Sequence, residues 1–118
     1  MSSFSFLKKE RLLNPRDFVN LNRLGRRQLT THFAIVFAGN GLGISRLGIT
    51  VSRKAGNSVI RNKVKRLIRE FFRLHKACFP RGYDILIVAR KGAGNLDYRK
   101  VKEELGAFFL DKKFRLLP

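Results

Sequence analysis

The chain is poor in the residues that enzymes use for chemistry, and each scarcity excludes something. Cys78 is the only cysteine, so no intrachain disulfide can form. A reducing compartment follows, and Cys78 reads as a packing residue. No segment approaches the ~18 continuous apolar residues that a spanning helix needs, and the N-terminus lacks the apolar centre of a secretory leader. No membrane role is expected, and the cytoplasm is the expected location. The eight acids are Glu10, Asp17, Glu70, Asp84, Asp97, Glu103, Glu104 and Asp111, too scattered to pair for general acid–base work or to hold a divalent metal. Glu103 and Glu104 are adjacent and point different ways on a helix. His75 falls on the apolar edge of a helix, where a lone histidine packs, and His32 opens a strand among threonines. There is no Ser-His-Asp, Cys-His or metal-ligand spacing, and no glycine run has phosphate-loop spacing. No catalytic residue is assigned, and no metal ligand can be named.

Positive charge is abundant. Twenty-six Lys and Arg against eight acids give the 118 residues a formal charge of +18 and a pI near 11.5, spread along the whole length. Such a balance implies a stable polyanionic partner. An apolar fraction of 44% with eleven phenylalanines supplies core material that a disordered basic chain lacks. One domain over residues 1–118 is expected, with no second domain and no obligate protein partner evident.

The charge is most organised between Val51 and Leu74. At about 100° per residue, Val64, Leu67, Ile68, Phe71 and Leu74 fall on one side of a helix, and Asn62, Lys65, Arg66, Arg69 and Arg73 crowd the other. Ordinary exposed helices mix signs at i,i+4; here Glu70 is the single acid. Arginine predominates at Arg61, Arg66, Arg69 and Arg73, and its planar fork suits phosphate oxygens. The face reads as a nucleic-acid interface.

The remaining segments frame that helix. Residues 1–12 read as an extended basic arm. A first helix starts at Asn14 as N-cap and Pro15 as first helical residue, with Leu13 stapled to Phe18, and stops near Gly25. Residues 32–38 alternate, with Phe33, Ile35 and Phe37 on one face and Ala34, Val36 and Ala38 on the other. Residues 46–53 repeat this, with Leu47, Ile49 and Val51 opposite Gly48, Thr50 and Ser52. The glycine-rich turn 39–43 suggests that these two strands form a hairpin with one smooth, open face. Asn57 or Ser58 caps the central helix, and Pro80 and Gly82 mark its far end. The unbroken apolar run Ile85–Val88 reads as the central strand, parallel to the strand before the helix. Asp97 caps a last helix to about Leu110, with Leu96 and Val101 as a staple and Leu105, Phe108 and Phe109 inward; residues 111–118 form a basic tail. The class is α+β, a single small domain with a mixed sheet packed with helices, in the order helix-strand-strand-helix-strand-helix. The general rule for strand-helix-strand crossovers is right-handed.

The run Arg61-Asn62-Lys63-Val64-Lys65-Arg66-Leu67-Ile68-Arg69 resembles the signature of the protein subunit of bacterial ribonuclease P: Arg-Asn, two residues, Lys-Arg, two residues, Arg. The segments Arg46–Lys54 and Asp84–Lys91 resemble that family's two main strands, in order. The resemblance implies an α-β-β-β-α-β-α arrangement with a left-handed crossover. It implies an RNA-binding subunit of a ribonucleoprotein endonuclease that removes the 5′ leader from precursor tRNA. The active site and its magnesium ions lie in the RNA subunit, and the protein assists binding. Partners are then the ribonuclease P RNA and precursor tRNA. On this resemblance Arg61, Asn62, Lys65, Arg66 and Arg69 contact the RNA subunit; Arg53 and Lys54 adjoin them, and Arg73 extends the face by geometry. A cleft between the first helix and the sheet holds the single-stranded leader and is lined by Phe18, Asn22, Val36, Thr50 and Ser52. Phe18 matches the family's stacking aromatic. Asn22 and Val36 stand where the family often has aromatics, so the cleft is less aromatic than the pattern. The competing reading from charge alone is a free-standing RNA- or ribosome-binding protein; a nuclease acting alone fails on the carboxylates.

Overall fold

The computed structural model describes residues 10–11, 15–79 and 81–110, apart from the side chain of Cys78. The expectations for the arm before Glu10, the Asn14 cap, the Leu13 staple, Cys78 packing, Pro80 and the tail from residue 111 lie outside the described residues. The elements are α1 (Pro15–Leu24), β1 (Arg26–Leu29), β2 (Phe33–Gly39), β3 (Arg46–Val51), α2 (Ser58–His75), β4 (Tyr83–Ala89) and α3 (Tyr98–Phe109). Single 3-10 turns lie at Arg53–Ala55, Lys76–Cys78 and Ala93–Asn95.

The strands form one mixed sheet in the order β1-β2-β4-β3. β4 is central as its apolar run implies, antiparallel to β2 and parallel to β3. The expected hairpin between β2 and β3 is therefore corrected, because β4 lies between them. A strand that is apolar on both faces needs both edges paired, and the chain leaving β2 is already held to the segment entering β4, Asn40 N–H donating to the Gly82 carbonyl at 2.7 Å. The Gly-rich turn instead crosses the end of the sheet. Among the described residues the one true hairpin is β1–β2, closed at Thr30, whose N–H donates to the Phe33 carbonyl at 2.8 Å.

β1 is also the strand that periodicity passed over, so the order read from the residues gains one element and becomes the order the family resemblance implied. Its sequence, Arg-Arg-Gln-Leu, has one apolar residue and every position is exposed. Nothing in such an edge strand alternates, and only its partner's ladder makes it β. Gly25 makes the approach possible: a Cβ there would sit 2.6 Å from the Leu21 carbonyl and 2.8 Å from Val36 Cγ1.

The sheet separates two apolar clusters. On one face Phe33, Ile35, Phe37, Leu47, Ile85 and Ile87 meet Val64, Ile68, Phe71 and Phe72 of α2 and Val101, Leu105 and Phe109 of α3. Full burial of each such side chain contributes about 1.5–3 kcal/mol. On the other face Leu21 and Phe18 of α1 cover Val36, Leu86, Ala38 and Val88. The alternations expected of β2 and β3 thus hold. The inward face of α2 needs one correction: Phe72 is buried, while Leu74 is 40% exposed. The two lie about equally far from the centre of the apolar stripe, and Phe79, edge-on to Phe72 at 4.8 Å, settles the choice.

The caps agree with the sequence. Asn57 Oδ1 accepts from Ile60 N–H at 3.0 Å, and Asp97 Oδ1 accepts from Lys100 N–H at 2.9 Å. That second bond holds the Asp97 carboxyl below the usual carboxylate range.

Candidate nucleic-acid interface

Geometry assigns most of the described acids to structural tasks. Asp84 on β4 takes Arg46 of β3 in a two-pronged contact, Nε to Oδ1 at 2.8 Å and Nη2 to Oδ2 at 2.7 Å. Asn40 donates to the same carboxylate at 2.9 Å, and Asp17 of α1 accepts from Arg46 Nη1 at 3.4 Å. These acids hold the Arg46 guanidinium above its ordinary pKa, chiefly through the Asp84 hydrogen bond. Glu104 joins α3 to the start of β2, its Oε1 lying 2.9 Å from His32 Nδ1 while Oε2 accepts the His32 N–H at 3.1 Å. Glu10 pairs with Lys76 at 2.8 Å. His75 packs as expected of a lone histidine, stacked on Phe71 with Nδ1 3.0 Å from that residue's carbonyl. Among the described residues no three His, Cys, Asp or Glu side chains gather as a metal site.

The cations of α2 are arranged differently. Lys65, Arg69, Asn62, Arg73 and Arg66 occupy a continuous stripe about 100° wide on the face opposite the core. Arg53 and Lys54 adjoin its start, in the turn that Ser52 caps by accepting from Lys54 N–H at 3.2 Å. The turn is fastened to the helix at Gly94, where a Cβ would meet the Ala55 carbonyl and Ile60 Cγ2, each at 2.6 Å. Arg73 is the exception within the stripe. Glu70 grips its guanidinium through both oxygens, which lowers the Glu70 carboxyl and raises Arg73. Among the described residues Arg53, Lys54, Arg61, Lys65, Arg66 and Arg69 have no acidic partner. Arg61 lies on the flank nearest the core, and its Nε is buried without a hydrogen-bond partner among the described residues. A buried charged donor left open costs free energy unless an external acceptor meets it.

The other expected site residues lie on the α1 face of the sheet. The register aligns Leu29, Ala34, Val88 and Thr50 across the four strands, with Arg27, Val36, Leu86 and Gly48 as the next row. α1 crosses the strands over this second row: Asp17 reaches Arg46 on β3, and Gly25 leads into β1. The helix flank away from Asp17 carries Phe18 and Asn22, and Phe18 and Val88 of the first row both pack against the Leu21, Val36 and Leu86 cluster. Phe18 and Asn22 thus share one flank of α1, and Thr50 stands exposed on β3 on the same side of the sheet, with Ser52 beyond. Val36 does not share that exposure. It is fully buried beneath α1 and offers no surface, because Phe18 and Leu21 close over it.

Sequence reasoning missed two cations here. Arg90 and Lys91 are exposed just after β4, and Arg90 N–H donates to the His32 carbonyl at 2.8 Å. Because β3 and β4 are parallel, this pair and Arg53-Lys54 emerge at the same end of the sheet. The signal was visible as a basic pair closing each of two apolar strands.

A small α+β domain whose central helix carries a run of cations without acidic partners among the described residues fits the class of RNA-binding proteins. Comparison with known proteins narrows the class. The family described as Ribonuclease P matches residues 6–113. The Ribonuclease P protein component of Desulforapulum autotrophicum is 44% identical over 109 residues, covering 92% of this chain and 93% of that one. The corresponding component of Geotalea uraniireducens is 46% identical over 105 residues, covering 89% and 92%. The solved RNase P protein from Thermotoga maritima superposes with a TM-score of 0.78 at 37% identity, covering 92% of this chain and 99% of that one. The chain belongs to the ribonuclease P protein family. It is the protein component of an endoribonuclease that matures the 5′ end of tRNA, works with an RNA subunit, and leaves catalysis to that RNA. Among the described residues no helix is long and apolar enough to cross a membrane.

Proposed function

We propose that the chain divides its work between the two faces of its sheet. The polar face of α2, through Arg61, Asn62, Lys65, Arg66 and Arg69 with Arg53 and Lys54, binds the RNA subunit. The cleft beside α1, through Phe18, Asn22, Thr50 and Ser52, takes the single-stranded 5′ leader of precursor tRNA, and Arg73, occupied by Glu70, plays a lesser part. Magnesium is held mainly by the RNA, and the assembly acts in the cytoplasm. The protein adds affinity by screening phosphate repulsion between two RNAs.

The observation that carries this reading is the run of cations on α2 that lack acidic partners in a protein where most described acids are already engaged. Its test is the double variant Arg66→Ala, Arg69→Ala. Binding to the RNA subunit is expected to weaken, and its salt dependence to become shallower by up to about 0.9 in slope for each duplex phosphate no longer neutralised. The circular dichroism should stay native, since both side chains are exposed. Unchanged affinity and slope would overturn the assignment.

A further inference from the structure

The two edges of the sheet are unlike. β3 receives a bridge from Arg11 at Leu47, whereas the outer edge of β1 pairs with nothing among the described residues. An open edge invites another strand, and arginines along it oppose that in a second copy of this chain, because strand pairing would set like charges side by side. The same charges suit a polyanion.

Position says more than charge. The row Leu29, Ala34, Val88, Thr50 runs beside α1 from the β3 edge to the β1 edge, so the cleft that opens at Thr50 ends at β1. At that end Leu29 is 55% exposed. Arg27 lies on the α1 face of β1, opposite Val36, and its Nη2 donates to Asn22 Oδ1 at 3.4 Å. Arg23 stands exposed on the outer side of α1 nearby, and neither arginine has an acidic partner among the described residues. Arg26, one residue earlier than Arg27, faces the opposite side of the sheet.

We propose that this end of the cleft is a second anchoring point for the leader: its upstream nucleotides leave over Leu29, and their phosphates are held by Arg27 and Arg23. The inference rests on the proposed cleft and extends it to the far edge. Three inter-strand spacings separate β3 from β1, about 14 Å. That is roughly four nucleotides if stacked at about 3.4 Å each and fewer if extended. A leader of one nucleotide cannot reach β1, and a long one can.

The test uses the holoenzyme assembled on a bacterial ribonuclease P RNA. Binding of precursor tRNA with no leader, a one-nucleotide leader and a ten-nucleotide leader is measured across salt for wild type, for Arg23→Gln with Arg27→Gln, and for Arg26→Gln. The double variant should lose affinity for the ten-nucleotide leader only, with the salt slope reduced by about 0.7 for each single-strand phosphate released. Arg26→Gln should match wild type. Equal losses on all three substrates would mean that the arginines hold the RNA subunit or mature tRNA, and would overturn the proposal. So would an equal loss in Arg26→Gln, which would reduce the effect to net charge, or a double variant indistinguishable from wild type. A wild type that binds all three substrates alike would instead remove the cleft on which the proposal stands.

Discussion

At the scale of single residues, Phe18 is asked to do two things. Its ring is half-buried over Val36 and Leu86, and its flank of α1 borders the proposed cleft. Stacking of a base on an aromatic is worth about 1–3 kcal/mol. Phe18→Ala and Phe18→Leu are both expected to weaken holoenzyme binding of leader-bearing precursor and to spare mature tRNA, with Leu preserving the melting temperature. A Phe18→Leu protein equal to wild type on leader-bearing substrate would leave Phe18 as packing alone. The sequence made Phe18, Asn22 and Thr50 legible as neighbours only through resemblance. Val36 was misplaced because the resemblance carried it over from a position where the family often has an aromatic, and here Phe18 and Leu21 close over it. Arg61 was legible as a cation, but its buried Nε was not, since an arginine on the flank of an apolar stripe looks the same in sequence as one at the centre of the polar face.

Elements are held by features that periodicity reads well and by partners that it cannot see. The Asn57 cap of α2 was readable, and Asn57→Ala should cost about 1 kcal/mol in denaturant unfolding; no loss would mean that the side chain bond to Ile60 N–H is not made in solution. Phe72→Ala should cost about 3–5 kcal/mol, and Leu74→Ala much less. The reverse ranking would restore the face read from the sequence, which failed because the position of Phe79 fixes the rotation of α2. The cap of α3 carries a pH signature. The folded Asp97 pKa is depressed by the Lys100 N–H, so its contribution is present above the unfolded value, about 3.9, and is lost as pH falls through the folded one. Asp97→Asn should therefore melt below wild type near neutral pH, and the gap should close at acid pH. A gap independent of pH would contradict the assignment. β1 and the insertion of β4 between β2 and β3 were not legible in periodicity, because the first is a polar edge strand and the second depends on which chain ends meet.

At the scale of the molecule, the basic helix α2 and the helix α1 lie on opposite sides of one sheet, and the described acids largely serve the framework. Asp84, Asp17 and Asn40 around Arg46 tie α1 and β3 to β4, while Glu104 ties α3 to β2. This division is what lets a chain of charge +18 fold on itself and still present unpaired cations to RNA. The most direct test is cleavage of precursor tRNA at limiting magnesium by a bacterial ribonuclease P RNA, by this protein freed of RNA, and by the two together. The account predicts no cleavage by the protein, little by the RNA, and 5′ leader removal by the mixture at a magnesium concentration where the RNA alone fails. Cleavage by the protein alone, or a mixture no better than the RNA, would contradict it.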